Sequence, residues 1–97
     1  MPEIKDSARP EAVVTIRNRK GLHARASAKF VKCAESYDAI VTVTRDGHQV
    51  GGTSIMGLMM LAAGPGSTIK VEASGKEAAE VIDAIESLIG GRFDEDD

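Results

Sequence analysis

The most informative stretch of this sequence is GLHARASAKF, residues 21–30. Its residues and those that follow show apolar and basic positions repeating with a helical period, which predicts a helix beginning near His23. No Ser, Thr, Asp or Asn stands where an N-cap side chain would accept the first amide hydrogens, and His23 stands there instead, two residues after Gly21. The first backbone N–H groups of the helix are therefore expected to lack a side-chain acceptor.

A helix start of this kind is predicted to bind anions. The amides of Ala24, Arg25, Ala26 and Ser27 point outward at the positive end of the helix dipole, and Arg25 adds a fixed cation. A neutral imidazole at His23 is a nucleophile, and a phosphoryl group on one of its nitrogens would lie among these donors. From local chemistry alone, an ordinary surface histidine in a turn is an equal alternative.

Two ordered motifs resemble those of a known family. Residues 18–25, NRKGLHAR, resemble the active-site motif of the HPr family, the histidine-containing phosphocarriers of the phosphoenolpyruvate-dependent phosphotransferase system. Residues 54–59, SIMGLM, resemble the family's other diagnostic segment, and the spacing between the two motifs fits. The resemblance covers about residues 11–90. One departure is Ala26, where the family commonly has Pro, a residue that suits the first helical turn.

The resemblance implies a fold and a function. The fold is an HPr-like open-faced β-sandwich, with a four-stranded, largely antiparallel sheet and three helices on one face. The function is that of a stoichiometric phosphoryl carrier, not an enzyme. His23 would accept the phosphoryl group on Nδ1 from phospho-enzyme I and pass it to enzyme IIA-type proteins, with Arg25 steadying the charge. Ser54 corresponds to a serine that a dedicated HPr kinase/phosphorylase modifies in some bacteria, which makes it a candidate regulatory site.

The residue pattern independently predicts an α+β domain. Strand-like alternation and helical periodicity follow one another along the chain, Asp46-Gly47 is typical of a two-residue hairpin turn, and residues 74–77 read as a capping box before the last helix. The elements so predicted are, in order, a strand over 12–16, a helix from 24, strands over 39–44 and 48–50, a short helix over 55–61, a strand over 68–73 and a helix from 78.

We expect three segments along the chain. Residues 1–10 are polar and contain two prolines, which predicts a flexible N-terminal extension. Residues 11–91 form the HPr-like domain, since Gly90-Gly91 would end the last helix. Residues 92–97 are an acidic C-terminal tail, and we expect solvent around it from Phe93 onward.

The short second helix is too apolar for its length, which predicts a contact surface. Leu58 and Leu61 are expected to face the core, while Ile55, Met56 and Met59 are partly exposed as a docking patch for partner proteins. Ser54 stands at the helix start, where its hydroxyl would cap the amides, and the same terminus would tolerate a phosphate on that hydroxyl.

Charge is unevenly distributed along the 97 residues, whose net charge is −3. Residues 1–50 carry nine Lys or Arg against six Asp or Glu, whereas residues 51–97 carry three against nine. The basic half surrounds the His23 helix and favours an acidic partner protein. Nucleic acid is the weaker choice, because the pI is about 5.3 and the chain has only two Phe and one Tyr for stacking.

Other features of the sequence argue against a membrane span, a disulfide, a metal site or a bound cofactor. No apolar run approaches the roughly 20 residues of a membrane span, and the N-terminus lacks the apolar core of a signal peptide. One cysteine cannot form an internal disulfide, so we expect a cytoplasmic protein. We also expect it to be a monomer. Cys33 is expected to be a small core residue and His48 an exposed hairpin residue, so no metal site is expected. Gly64-Pro65-Gly66 is followed by no Gly-Lys-Ser/Thr, and no cofactor is indicated.

The sequence is also compatible with a second function, that of a regulatory adaptor. The chain resembles carriers of both the sugar-transport branch and a nitrogen-related regulatory branch, and Ala26 points slightly toward the latter. In that alternative the protein is a regulatory adaptor, and the phosphorylation state of His23 or Ser54 is the signal.

Overall fold

The computed structural model describes residues 10–95. The predictions made for residues 1–9 and for the last two residues of the tail lie outside the described residues. The expected fold is confirmed: four antiparallel strands form one sheet in the order β1-β4-β2-β3, accompanied by three helices. The elements are β1 (Glu11–Thr15), α1 (Ala24–Glu35), β2 (Ile40–Arg45), β3 (His48–Gly51), α2 (Ile55–Met60), β4 (Thr68–Ser74) and α3 (Ala78–Gly90).

The strands form because their side chains alternate between a buried and an exposed face. In β2, Val41 and Val43 are buried, whereas Ile40 points to the open face of the sheet and is 72% exposed. The hairpin between β2 and β3 turns at Asp46 and Gly47, whose φ angles of 50° and 82° are those of a type I′ turn. The turn fixes the register in which Arg45 pairs with His48.

Each helix buries one face in the core, on the other side of the sheet. The spacing of their apolar residues matches the helical period, so a single stripe of each helix is buried; α3 packs on β1 and β4, α2 on β3, and α1 on α2 and α3. None of the helices over residues 10–95 has the length and hydropathy that a membrane span requires. The buried apolar residues of the helices are Ala26, Phe30, Val31 and Ala34 of α1, Leu58 of α2, and Ala78, Val81, Ile82, Ile85 and Ile89 of α3.

The capping box predicted before α3 is wrong. The residue that precedes the helix is Glu77, which makes no side-chain cap, and Ser74 is the last residue of β4. The Glu77 carboxylate instead accepts the backbone N–H of Asp38 at 2.7 Å, while the Glu77 N–H donates to Asp38 O at 2.8 Å. Tertiary pairing with the loop before β2 therefore replaces the local box.

The C-terminal tail is also different from its prediction. Residues Arg92–Asp94 form a single turn, here called the C-terminal turn, in which φ is 58°, 54° and 61° in sequence. Phe93 is fully buried in the core, and the carboxylate-bearing side chain of Glu95 is only 10% exposed. The described part of the tail is thus packed against the domain, because burying the Phe93 ring outweighs solvation of the acidic residues beside it.

Candidate functional site

The start of α1 is an uncapped helix N-terminus, as predicted. His23 occupies the N-cap position with φ −75° and ψ −178°, and its side chain makes no cap hydrogen bond to the helix. The Ser27 N–H donates to His23 O at 2.8 Å, the first hydrogen bond of the helix. The Ser27 amide, predicted to be open to an anion, is therefore bonded within the helix instead. The amides of Ala24, Arg25 and Ala26 are the ones that the helix geometry leaves without an intrahelical acceptor.

Close backbone contacts hold this helix start in place. Gly21 has a φ of +63°, and a Cβ there would lie 2.3 Å from Ala63 O, so only glycine fits. The next residue, Leu22, donates its N–H to Ala63 O at 2.9 Å. From the preceding loop, the buried Asn18 donates through Nδ2 to Gly21 O at 2.8 Å. The loop after α2 and the start of α1 are thus joined directly.

The imidazole of His23 contacts a residue from the C-terminal tail. Its Nε2 lies 2.7 Å from Oε2 of Glu95, and the other carboxylate oxygen accepts Asn18 Nδ2 at 3.2 Å. The His23 side chain is 26% exposed. No hydrogen bond to Nδ1 occurs within residues 10–95, so this is the ring nitrogen available to a ligand.

The environment of Glu95 favours its ionised form. Partial burial raises the pKa of its carboxyl, but hydrogen bonds from His23 and Asn18, together with the charges of His23 and Lys29, lower it further than burial raises it. The net result is a lowered pKa, so Glu95 is a carboxylate at neutral pH. Lys29 also donates through Nζ to Phe93 O, which ties the C-terminal turn to α1.

Arg25 lies on the exposed side of the first turn of α1. Its guanidinium makes no hydrogen bond or ion pair within the part of the chain that the structure describes. Arg17 and Lys20 are also exposed nearby in sequence. The predicted cation is therefore accessible to an anion held at the amides beside it.

The second helix exposes the apolar surface that was predicted. Ile55, Met56 and Met59 are 41%, 71% and 42% exposed, and Met60, which the sequence analysis did not include, is 77% exposed. We call these four residues the α2 patch. Leu58 and Leu61 are buried as expected, and the Ser54 hydroxyl accepts the Gly57 N–H at 2.9 Å as the helix cap.

Sequence reasoning missed two residues of the His23 site. Asn18 belongs to the first motif, and its position between the end of the predicted strand and a turn is the signal that could have indicated a buried hydrogen-bonding role. Glu95 gave no local signal beyond the nearby Phe93, a lone aromatic in an acidic segment.

The remaining candidates stay apart from this site. His48 is exposed at the start of β3, and Cys33 is half-buried against the core, where burial raises the pKa of its thiol. Over residues 10–95, no three His, Cys, Asp or Glu side chains are grouped closely enough to hold a metal ion.

Comparison with known proteins identifies the family of this chain. The family model described as "PTS HPr component phosphorylation site" matches residues 10–90. The chain belongs to the HPr family. A phosphocarrier protein HPr from Cupriavidus necator is 51% identical over 81 residues, which cover 84% of this chain and 91% of that protein. A phosphocarrier protein NPr from Shewanella violacea is 40% identical, covering 88% and 93%.

A solved HPr-family structure has the same fold. The crystal structure of HPr-C-His from Thermoanaerobacter tengcongensis matches with a TM-score of 0.86 and 37% identity, covering 90% of this chain and 98% of that one. This HPr-family chain is accordingly a phosphocarrier protein of the phosphotransferase system.

Proposed function

We propose that His23 is the residue that carries the phosphoryl group, accepted from phospho-enzyme I and passed to enzyme IIA-type proteins. The observation that carries the proposal is the uncapped start of α1, where an imidazole stands at the N-cap beside three amides with no intrahelical acceptor. Nδ1 is the acceptor atom, because Nε2 is already bonded to Glu95. In this role the protein is a stoichiometric carrier rather than an enzyme.

The transfer uses groups that are already in position. Nδ1 of His23 attacks the phosphorus, and the amides of Ala24, Arg25 and Ala26 donate to the phosphoryl oxygens at the positive end of the helix dipole. The Arg25 guanidinium steadies the charge on the moving group, as positioned cations do in phosphoryl transfer. Each such contribution is modest, which suits a carrier that must release its cargo.

Partner proteins are proposed to dock on the α2 patch and the basic residues around His23. Flexible methionines adapt to different surfaces, and the surrounding cations favour partners with an acidic rim. One shared surface of this kind supports weak, transient contacts with enzyme I and with enzyme IIA-type proteins in the cytoplasm. We propose that the carrier acts as a monomer, and that phosphorylation of Ser54 by an HPr kinase/phosphorylase regulates docking.

A second candidate function is supported by the NPr relative from Shewanella violacea. In that case the chain is a regulatory adaptor of a nitrogen-related branch, and the phosphorylation state of His23 or Ser54 is its output. A target that binds His23→Ala as well as the unphosphorylated wild type would favour this candidate.

The test is intact mass after incubation with enzyme I, Mg²⁺ and phosphoenolpyruvate. Wild type should gain one acid-labile phosphate and His23→Ala none. His48→Ala is the matched control, since it removes the other histidine from an exposed hairpin, and it should be labelled like wild type. An unlabelled wild type, with a donor active on another carrier, would refute the proposed acceptor role.

A further inference from the structure

The contact between the tail and His23 assigns a role to a residue outside both family motifs. We propose that Glu95 is a positioning residue for His23: its carboxylate holds the imidazole with hydrogen on Nε2 and leaves the Nδ1 lone pair facing the phosphoryl donor. This inference rests on the proposed function of His23, and it names the group that prepares the acceptor.

The geometry defines which nitrogen carries the hydrogen. An ionised carboxylate can only accept hydrogen bonds, so the 2.7 Å contact between Glu95 Oε2 and His23 Nε2 requires an Nε2–H donor. The second carboxylate oxygen accepts from Asn18 Nδ2, and the same Asn18 amide donates to Gly21 O. The buried Asn18 therefore orients the carboxylate through the oxygen that does not contact His23. Such supporting partners orient an imidazole and raise its basicity at metal and catalytic sites.

The C-terminal turn gives this contact a rigid support. Phe93 is fully buried, and Lys29 of α1 donates to its carbonyl oxygen. Arg92, Phe93 and Asp94 all have positive φ, a conformation that L-residues avoid and that persists only where packing imposes it. The chain thus adopts an unfavourable local conformation, and the result is that Glu95 reaches the ring of His23.

The carboxylate also compensates the charge that transfer creates. The Nδ1 lone pair attacks phosphorus and forms the N–P bond, while the bond from phosphorus to the donor's leaving atom breaks and its electron pair stays with the donor. The hydrogen on Nε2 does not move. The His23 ring therefore gains a positive charge during attack, which faces the carboxylate 2.7 Å away, and loses it when the phosphoryl group leaves for the acceptor.

An inhibitory tail is the competing explanation, in which Glu95 occupies the anion site. A competitor of this type would accept hydrogen bonds from the amides of residues 24–26. Within residues 10–95 the carboxylate of Glu95 bonds only to His23 and Asn18, which leaves those amides to a ligand. The charge that acts on the pair from α1 is that of Lys29, while Arg25 lies two residues after His23 and Asp94 directly precedes Glu95 in the sequence.

The experiment compares Glu95→Gln with Asp94→Asn. Both variants remove one acidic charge isosterically, but only Glu95 contacts the ring, and Asn tolerates the positive φ at position 94. Proton and ¹⁵N NMR at neutral pH should show a deshielded, slowly exchanging Nε2 hydrogen in wild type and Asp94→Asn. In Glu95→Gln this signal should be lost to exchange. Phosphorylation by enzyme I should slow about tenfold or more in Glu95→Gln alone.

A second readout is the pH dependence of the difference in Tm between wild type and Glu95→Gln. Because the pKa of Glu95 is lowered by folding, its contribution to stability is present above the ordinary carboxyl value of 4.5 and is lost as pH falls through the lowered pKa. The difference should therefore persist at pH 5 and disappear in stronger acid. Asp94→Asn serves as the control for charge alone.

The outcomes separate this inference from the proposed function. Faster labelling of Glu95→Gln would overturn the positioning role in favour of an inhibitory tail. A labelled wild type whose Nε2 hydrogen exchanges freely, or a Glu95→Gln labelled at the wild-type rate, would overturn it while the carrier role stands. A protected Nε2 hydrogen in a wild type that takes no phosphate would instead contradict the carrier role and, with it, the positioning of an acceptor.

Discussion

The N-termini of α1 and α2 differ in whether the N-cap side chain accepts a backbone amide hydrogen. Both helices expose amide hydrogens that have no acceptor within the helix. At α2, the Ser54 hydroxyl accepts the Gly57 N–H at 2.9 Å. At α1, the N-cap residue is His23, whose side chain caps nothing and bonds to Glu95 instead. A side chain thus caps the start of α2, whereas the amides at the start of α1 are left to an anion.

The difference shows where this small domain gives up local stability. A hydroxyl or carboxylate N-cap contributes about 1 kcal/mol, so a His in its place leaves that stabilisation unused. Contacts from distant segments hold the α1 start in compensation, with Ala63 bonding Leu22 and Asn18 bonding Gly21. Each substitution below alters the start of either α1 or α2, beginning with the largest expected effect.

Gly21→Ala should have the largest effect. A Cβ would lie 2.3 Å from Ala63 O and would sit on a residue with positive φ, so we expect a loss of about 2–5 kcal/mol in the free energy of unfolding. Gly51→Ala is the control, because a Cβ there meets nothing within 4 Å, and it should be near neutral. Urea denaturation measures both. A Gly21→Ala as stable as wild type would mean that this contact does not hold the α1 start.

Arg25→Ala should slow transfer without unfolding the protein. The side chain is exposed, so the free energy of unfolding should change by less than about 0.5 kcal/mol. Loss of a positioned cation should slow phosphorylation of His23 by about tenfold to a hundredfold, equivalent to about 1.4–2.7 kcal/mol of transition-state stabilisation.

Rapid-quench labelling with enzyme I measures the effect of Arg25→Ala. Arg17→Ala, which removes a nearby exposed cation outside α1, is the matched control and should have a smaller effect. Equal rates for wild type and Arg25→Ala would remove Arg25 from the transfer step.

Ser54→Ala should have the smallest effect, confined to the capped helix. Removal of the hydroxyl leaves the Gly57 N–H without its acceptor, so we expect a loss of about 1 kcal/mol in the free energy of unfolding by urea denaturation. Ser54→Asp keeps an N-cap acceptor and should restore stability, while its charge beside the α2 patch weakens enzyme I binding in calorimetry. If Ser54→Asp binds enzyme I as tightly as wild type, the α2 patch is not the docking surface.

Much of the fold could be predicted from the sequence, because its signals are local. Alternation along β2 and β4 and the helical spacing in α3 report burial directly, and Asp46-Gly47 specifies its own turn. His23 and Ser54 could be placed at helix starts for the same reason, since an N-cap is defined by residues within one turn.

The predictions that failed depend on contacts between distant residues. Glu77 looked like part of a capping box, but its carboxylate accepts an amide 39 residues away, at Asp38. Glu95 looked solvated among other acids, yet it contacts His23 across 72 residues. The neighbouring residues in sequence do not distinguish a solvated carboxylate from one that the burial of Phe93 holds in place. The conformation of the tail therefore depends on its tertiary contacts.

The hydrogen bond from Leu22 to Ala63 has a consequence for partner selection. It joins the start of α1 to the loop that follows α2, and Arg45 fixes the end of α2 by donating to Leu61 O at 2.9 Å. The α2 patch and His23 are therefore held at one fixed offset. A partner that docks on the patch must present its reactive group at that offset, whatever its own fold. Partner proteins of unrelated folds can thus exchange a phosphoryl group with His23, provided that each has the same distance between its docking surface and its reactive group.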